Sequence, residues 1–261
     1  VLVIVAAMRD EVSGLLKRGL WQAETRHGIR TWRSGERYMT ALVAVVGVGQ
    51  QAAKEAADRL LAAERATALM SVGFAGGLDP TLRPGDVVLA ERIQAWRPGA
   101  DGTRSIVPDS SLLGWAEHVA GARGLRIRKG GWLTVESAVT APEEKGRLWQ
   151  ETGAVAVEME SYWLGEAAER AGVPFLAART ILDTAHAALP RAVQRNTGTP
   201  SAASVVAGLA RRPQDVPAVL GLARSMALAR RNLTRFVGTF WSEFAERTAP
   251  SPAPSPKGRG T

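Results

Sequence analysis

The sequence predicts an α/β fold: one three-layer domain with a mixed, largely parallel central sheet flanked by helices, followed by a C-terminal helical extension. Short Val/Ala/Leu-rich runs alternate with stretches of helical period as far as residue 180. Those runs are nearly continuous in apolar residues, the pattern of strands covered by helices on both faces. At 261 residues, with 46% hydrophobic and 22% charged, the chain has the material for a sizeable core.

The elements follow in order. Residues 1–6 open as a buried strand, since the apolar run ending at Met8 is too short to cross a bilayer. Residues 10–17 form a helix with an acidic first turn. Residues 31–38 and 40–46 are strands, and 50–63 is an Ala-rich helix. Residues 68–72 form a strand that runs into Val72-Gly-Phe-Ala-Gly-Gly-Leu-Asp-Pro80, and Leu82-Arg-Pro-Gly85 turns into a strand at 86–90. A helix at 110–122, a strand at 131–135 and a helix at 142–151 come next. The strand 154–157 feeds a helix at 158–171, which Gly172 and Pro174 stop before a strand at 174–180.

From Ser201 the character changes. Arg211-Arg-Pro-Gln-Asp-Val-Pro217 breaks one helix and starts another, from 218 to about 236, on which Arg224, Arg231 and Arg235 make a basic stripe. Beyond Arg247 a Ser-Pro-Ala-Pro-Ser-Pro run reads as a disordered tail. The expected organisation is a catalytic domain over 1–190, a basic helical extension over 191–247 and a Pro/Ser-rich tail over 248–261. Residues 191–261 carry eleven Lys/Arg against Asp215, Glu243 and Glu246, which is the whole net charge of +8. With no Cys, disulfides and thiolate chemistry are excluded, and three scattered His make a His-based metal site a poor fit. The expected location is the cytoplasm, with peripheral contact at the inner face of the membrane through the basic helix.

The chemistry concentrates in Ala154-Val-Ala-Val-Glu-Met-Glu160 and in Asp183. An apolar run that breaks into carboxylates around a Met delivers acidic groups to the mouth of a site, and ligands of such sheets collect at the carboxyl ends of strands. Glu160 can accept hydrogen bonds from a sugar's vicinal hydroxyls, and Asp183 can protonate a departing base. Glu158 lies two positions away and points to another face, which leaves Glu160 as the sugar ligand. Glu11 fits an acidic helical turn and equally a group that orients or deprotonates a water. Arg9 meets an anion or faces solvent, and Arg33 and Arg179 are further candidates for a phosphate contact. The glycines of 72–80 fit a structural turn or a ligand loop.

Together these segments resemble the nucleoside phosphorylase and nucleosidase superfamily, in particular the methylthioadenosine/S-adenosylhomocysteine nucleosidases. Five segments stand in the family's order: Ala-Met-x-x-Glu at 7–11, Val-Gly-Val-Gly at 46–49, Ala-Gly-Gly-Leu-x-Pro-x-Leu-x-x-Gly-Asp at 75–86, Val-Glu-Met-Glu at 157–160, and Val-Pro-Phe…Arg…Asp over 173–183. The resemblance implies that Asp183 protonates the purine N7, that Met159 and Glu160 hold the ribose, and that Glu11 positions the water. It places Val139, Thr140, Phe74, Ala75 and Gly76 against the nucleoside. It singles out no Arg for phosphate: Arg9 is the first candidate, and each Arg fits a surface or ion-pairing role equally. It implies a homo-oligomer with no metal and no organic cofactor, inorganic phosphate being an optional co-substrate.

Phe74, Leu182 and Val139 depart from the family pattern, each toward a more apolar site. Ala187-Ala-Leu-Pro190 and the Leu/Ala/Arg-rich tail look like the hopanoid-biosynthesis-associated branch, which removes adenine from adenosylhopane. The partner implied is thus a small nucleoside, lipid-linked at its 5′ carbon. A short thioether nucleoside in salvage, or a purine-binding module without catalysis, are the alternatives. The tail carries no recognisable nucleic-acid motif, so no nucleic acid is expected.

Overall fold

A computed structural model describes residues 1–35, 39–97, 104–188 and 216–247. At its centre is β1 (Leu2–Ala6), whose five residues are all buried. It pairs in parallel with β4 (Thr40–Val45) on one side and β5 (Ala68–Gly77) on the other. β5 pairs in parallel with β10 (Phe175–Asp183). The centre of the sheet is therefore parallel and apolar, as the runs predict.

Away from the centre the sheet is mixed, with antiparallel and parallel pairings, and it curls. Beyond β4 lie β3 (Ile29–Gly35) and β2 (Gln22–Arg26), both joined antiparallel. In the other direction β10 pairs β6 (Val87–Ala95), β6 pairs β8 (Ile127–Thr134), and β8 pairs β9 (Ala156–Glu158). β9 returns to the end of β5, setting Val157 opposite Gly76, so these five strands close into a small barrel. A two-residue strand, β7 (Ser105–Ile106), adds to β6. The helices are α1 (Arg9–Leu16), α2 (Gln50–Ala63), α3 (Ser110–Ala122), α4 (Pro142–Thr152), α5 (Ser161–Ala171) and α6 (Val216–Arg247).

Two expectations are corrected here. The glycine run after residue 72 is neither turn nor loop but the second half of β5. Parallel pairing with β10, Gly73 opposite Arg179 and Phe74 opposite Thr180, keeps it extended. The helix expected from Glu158 starts at Ser161, because β9 holds Glu158 in the sheet.

The helix expected at 218–236 runs on to Arg247. Its Leu233, Phe236, Val237, Phe240 and Trp241 are buried in the same cluster as Leu2, Ile4 and Met70 of the sheet. Trp115 of α3 packs on Phe240 and Phe244, with ring centroids 4.5 and 5.5 Å apart. Each such side chain contributes about 1.5–3 kcal/mol by its burial. This helix is therefore built into the core of the fold, while Arg224 and Arg231 stay exposed on its outer face. The expected boundary at 190, the first part of the extension to 215 and the tail from 248 lie outside the described residues, as do 36–38 at the end of one expected strand.

Candidate active site

The carboxyl ends of β1, β5, β9 and β10 converge on a cavity of about 170 Å³. Glu11, Glu158, Glu160 and Asp183 line it, with Phe74, Ala75 and Gly76 from β5 forming one side. Val139, Met159 and Leu182 complete an otherwise apolar wall. Segments far apart in sequence are thus brought to one place.

Glu11 sits in the first turn of α1 and is buried. Its Oε2 accepts from the Met8 backbone N–H at 2.8 Å, and its Oε1 accepts from the Phe74 N–H at 2.9 Å. The second bond requires glycine at 73, since a Cβ there would lie 2.9 Å from Glu11 Cδ. Burial raises the carboxyl's pKa, opposed by the Arg179 charge and by the N–H groups it accepts from. A carboxyl moved toward neutrality in this way suits a base that takes a proton from water.

Glu160 stands at the start of α5, and its Oε1 accepts from the Gly49 N–H at 2.8 Å. Gly49 has φ +95°, a conformation that only glycine adopts without strain. Burial, and then the negative charge of Glu158, push the Glu160 carboxyl up to about 8, against the pull of Arg179.

Glu158 belongs to the same wall, but its side chain is almost fully buried and its carboxylate is engaged inside the protein. β9 ends at Glu158 and α5 starts at Ser161, so a turn through Met159 joins the two glutamates and the helical spacing between them does not apply. Their roles differ. Glu158 Oε2 accepts from Arg179 Nη2 at 2.8 Å and from the N–H groups of Glu160 and Ser161 at 3.1 and 2.9 Å, so it caps α5. Its Oε1 accepts from the Thr134 hydroxyl. Arg179 is sealed within this network, also donating to Ser71 Oγ at 3.0 Å. It is an internal partner for the carboxylates.

Asp183 ends β10 after a register shift: Ile181 lies opposite Ala75 and Asp183 opposite Gly76, leaving Leu182 as the extra residue. Such a bulge re-aims the side chains beyond it, and here it turns Asp183 into the cavity wall. Burial raises the Asp183 pKa, opposed by the charge and hydrogen bond of Lys145.

Sequence reasoning missed Lys145. It lies on α4 in Glu143-Glu-Lys-Gly-Arg147, a run that reads as a solvated face, yet its side chain is fully buried. Its Nζ donates to Asp183 Oδ2, to the Thr184 carbonyl at 2.9 Å and to the Ala187 carbonyl at 3.0 Å. The one hint in the sequence is its spacing of three from Leu148, the other buried residue of α4.

Three candidates fall elsewhere. Arg9 is exposed, 5.6 Å from the Trp32 ring centroid, because the first turn of α1 aims it outward while Glu11 points in. Arg33 is paired with Glu24 and Glu64. Thr140 is half-buried but outside the cavity lining, although its neighbour Val139 is within it.

A family model described as the phosphorylase superfamily matches residues 1–211. The 5′-methylthioadenosine/S-adenosylhomocysteine nucleosidase of Actinobacillus succinogenes is 28% identical over 196 residues, covering 69% of this chain and 84% of that protein. The enzyme of the same name from Baumannia cicadellinicola is 25% identical over 198 residues, covering 70% and 85%. Among solved structures, the futalosine hydrolase of Helicobacter pylori superposes with a TM-score of 0.73 at 18% identity, covering 93% of this chain and 97% of that one, a likeness of fold.

Proposed function

Because the chain belongs to the phosphorylase superfamily, we propose that it cleaves the N-glycosidic bond of a 5′-modified adenine nucleoside and releases adenine. The observation that carries this reading is the meeting of Asp183, Glu11, Glu160 and Met159 in one cavity at the carboxyl ends of the strands.

In this reading Asp183 gives a proton to the base as the bond to the sugar breaks, so the base leaves neutral. Glu160 holds the ribose hydroxyls, with Met159 packed against the ring. Glu11, fixed by two backbone N–H groups, takes the proton of the attacking water. Among the described residues no Arg or Lys lines the cavity to hold a phosphate, Arg179 being sealed behind the carboxylates, which supports water as the nucleophile.

The apolar wall, with Phe74, Val139 and Leu182, supports a substrate whose 5′ group is large and apolar, adenosylhopane in the first instance. The exposed Arg224 and Arg231 would face anionic lipid during its extraction. No helix among the described residues is long and apolar enough to cross a membrane. A second reading, favoured by the relatives at 25–28% identity, is a nucleosidase acting on methylthioadenosine or S-adenosylhomocysteine.

The test is adenine release from adenosylhopane and from methylthioadenosine, each with and without phosphate. Release from adenosylhopane alone supports the lipid-linked substrate, and faster release from methylthioadenosine replaces it with the second reading. A requirement for phosphate would overturn hydrolysis. Asp183→Asn is expected to lower the rate by roughly 100- to 10,000-fold.

A further inference from the structure

We propose that Lys145 is the proton reservoir of the site: its ammonium supplies the proton that Asp183 relays to the departing base. The inference rests on the reading of Asp183 as the general acid.

Lys145 is fully buried and lies behind Asp183, whose carboxyl lines the cavity. All three of its N–H bonds have an acceptor: Asp183 Oδ2 and the carbonyls of Thr184 and Ala187. The two carbonyls hold the amine in place whether or not it carries its third proton. Only the Asp183 bond runs along a path a proton can follow to the substrate. A Lys serving as a plain structural cation would leave Asp183 without a proton to give, because it favours the ionised carboxylate. A buried ion pair, however, is expensive to keep charged in low dielectric. Moving one proton from Nζ to Oδ2 turns it into a neutral amine and a neutral carboxylic acid.

The step balances. Lys145–NH₃⁺ and Asp183–COO⁻ become Lys145–NH₂ and Asp183–COOH. The carboxylic proton passes to the base nitrogen while the electron pair of the glycosidic bond moves onto the base. Water attacks the sugar and gives its proton to Glu11. After product release, that proton returns through solvent to the amine.

The charged surroundings are few. The other ionisable groups lining the cavity are Glu11 from α1, Glu158 from β9 and Glu160 at the start of α5, with Arg179 behind them. Glu143, Glu144 and Arg147 of α4 are exposed, as is His186 on the loop that Lys145 ties down.

The test is the pH dependence of adenine release by the full chain carrying Lys145→Met, compared with the unmodified protein. A reservoir holds the proton on the pair into alkaline solution, so its removal must move the alkaline limb to lower pH. A static cation that only depresses the acidity range of Asp183 predicts the opposite, a limb moved to higher pH. A purely structural role predicts a lower rate with the limb unmoved, and either of these results overturns the proposal.

Lys145→Arg keeps a cation that does not release its proton and is expected to leave the lost limb unrestored. Should Lys145→Met not fold, Lys145→Cys decides. The chain has no other Cys, so this variant can be alkylated while unfolded to aminoethylcysteine and refolded. The product keeps the amine and the side-chain length but is less basic, and its limb must also move to lower pH. An unmoved limb there refutes the reservoir. Activity in the unmodified protein that is lost in Asp183→Asn, with an unmoved limb in the Lys145 variants, would sink this inference alone. Absence of activity on every adenine nucleoside would sink the functional reading and the inference with it.

Discussion

At Glu160 a buried carboxyl is held against the Gly49 N–H beside a second carboxylate, and burial penalises its ionised form. Its folded value of about 8 lies above the ordinary 4.5. The stability that this group contributes is therefore present below the ordinary value and is lost as pH rises through about 8. Thermal unfolding should fall in Tm between pH 5 and 9, and Glu160→Gln should flatten that fall; an unchanged slope would show that Glu160 does not control it. Arg179 and Glu158 pose the opposite case, a buried pair at 2.8 Å. Arg179→Met leaves Glu158 charged and unpaired, an expected loss of about 3–5 kcal/mol in denaturant unfolding. Adding Glu158→Gln to that variant should recover part of the loss. Glu11, Glu160 and Asp183 were legible as residues because they sit in recognisable motifs. Lys145 was not, since nothing in a Glu-Glu-Lys-Gly-Arg run marks which face the packing will bury.

Among the elements, β5 does the most to shape the site. Its glycines let the strand pair with β10 on one edge and β9 at its end while Glu11 reaches in to the Phe74 N–H. Gly73→Ala would set a methyl against Glu11 Cδ at 2.9 Å and Arg179 Nε at 3.3 Å. The expected cost is about 1–3 kcal/mol of stability, and a marked fall in adenine release as Glu11 is displaced. Full activity would show that Glu11 need not touch β5. The boundaries of α2 and α3 follow directly from local periodicity. β2 escaped it because its Gln-Ala-Glu-Thr-Arg has no apolar face, and β7 because two residues carry no period. The bulge at Leu182 was equally hidden: it exists only in the pairing of β10 with β5.

For the whole molecule, the decisive contact is that of α6 with the rest. It packs on α1, α3 and β10, and the Thr180 hydroxyl donates to the Ala229 carbonyl at 3.1 Å three residues before Asp183. Removing the C-terminal region to ask whether it selects a substrate would strip the core first. Phe240→Ala is expected to destabilise by about 3–5 kcal/mol, read as a lower denaturant midpoint. Arg224→Ala with Arg231→Ala should change the unfolding free energy by no more than about 0.5 kcal/mol, as for surface substitutions generally. That pair of variants separates the helix's inner and outer faces, and binding to anionic vesicles would then report on the outer face alone.

The alternation of apolar strands and helices, the order of five motifs and the residues Glu11, Met159, Glu160 and Asp183 are determined by the sequence itself, because each rests on local periodicity or on neighbouring residues. The closing of five strands into a barrel, the pairing of Glu158 with Arg179, the docking of α6 and the placing of Lys145 behind Asp183 were decided only by the tertiary structure. Each depends on a contact between segments far apart along the chain, and whether a charged residue is buried or solvated is set by what packs over it.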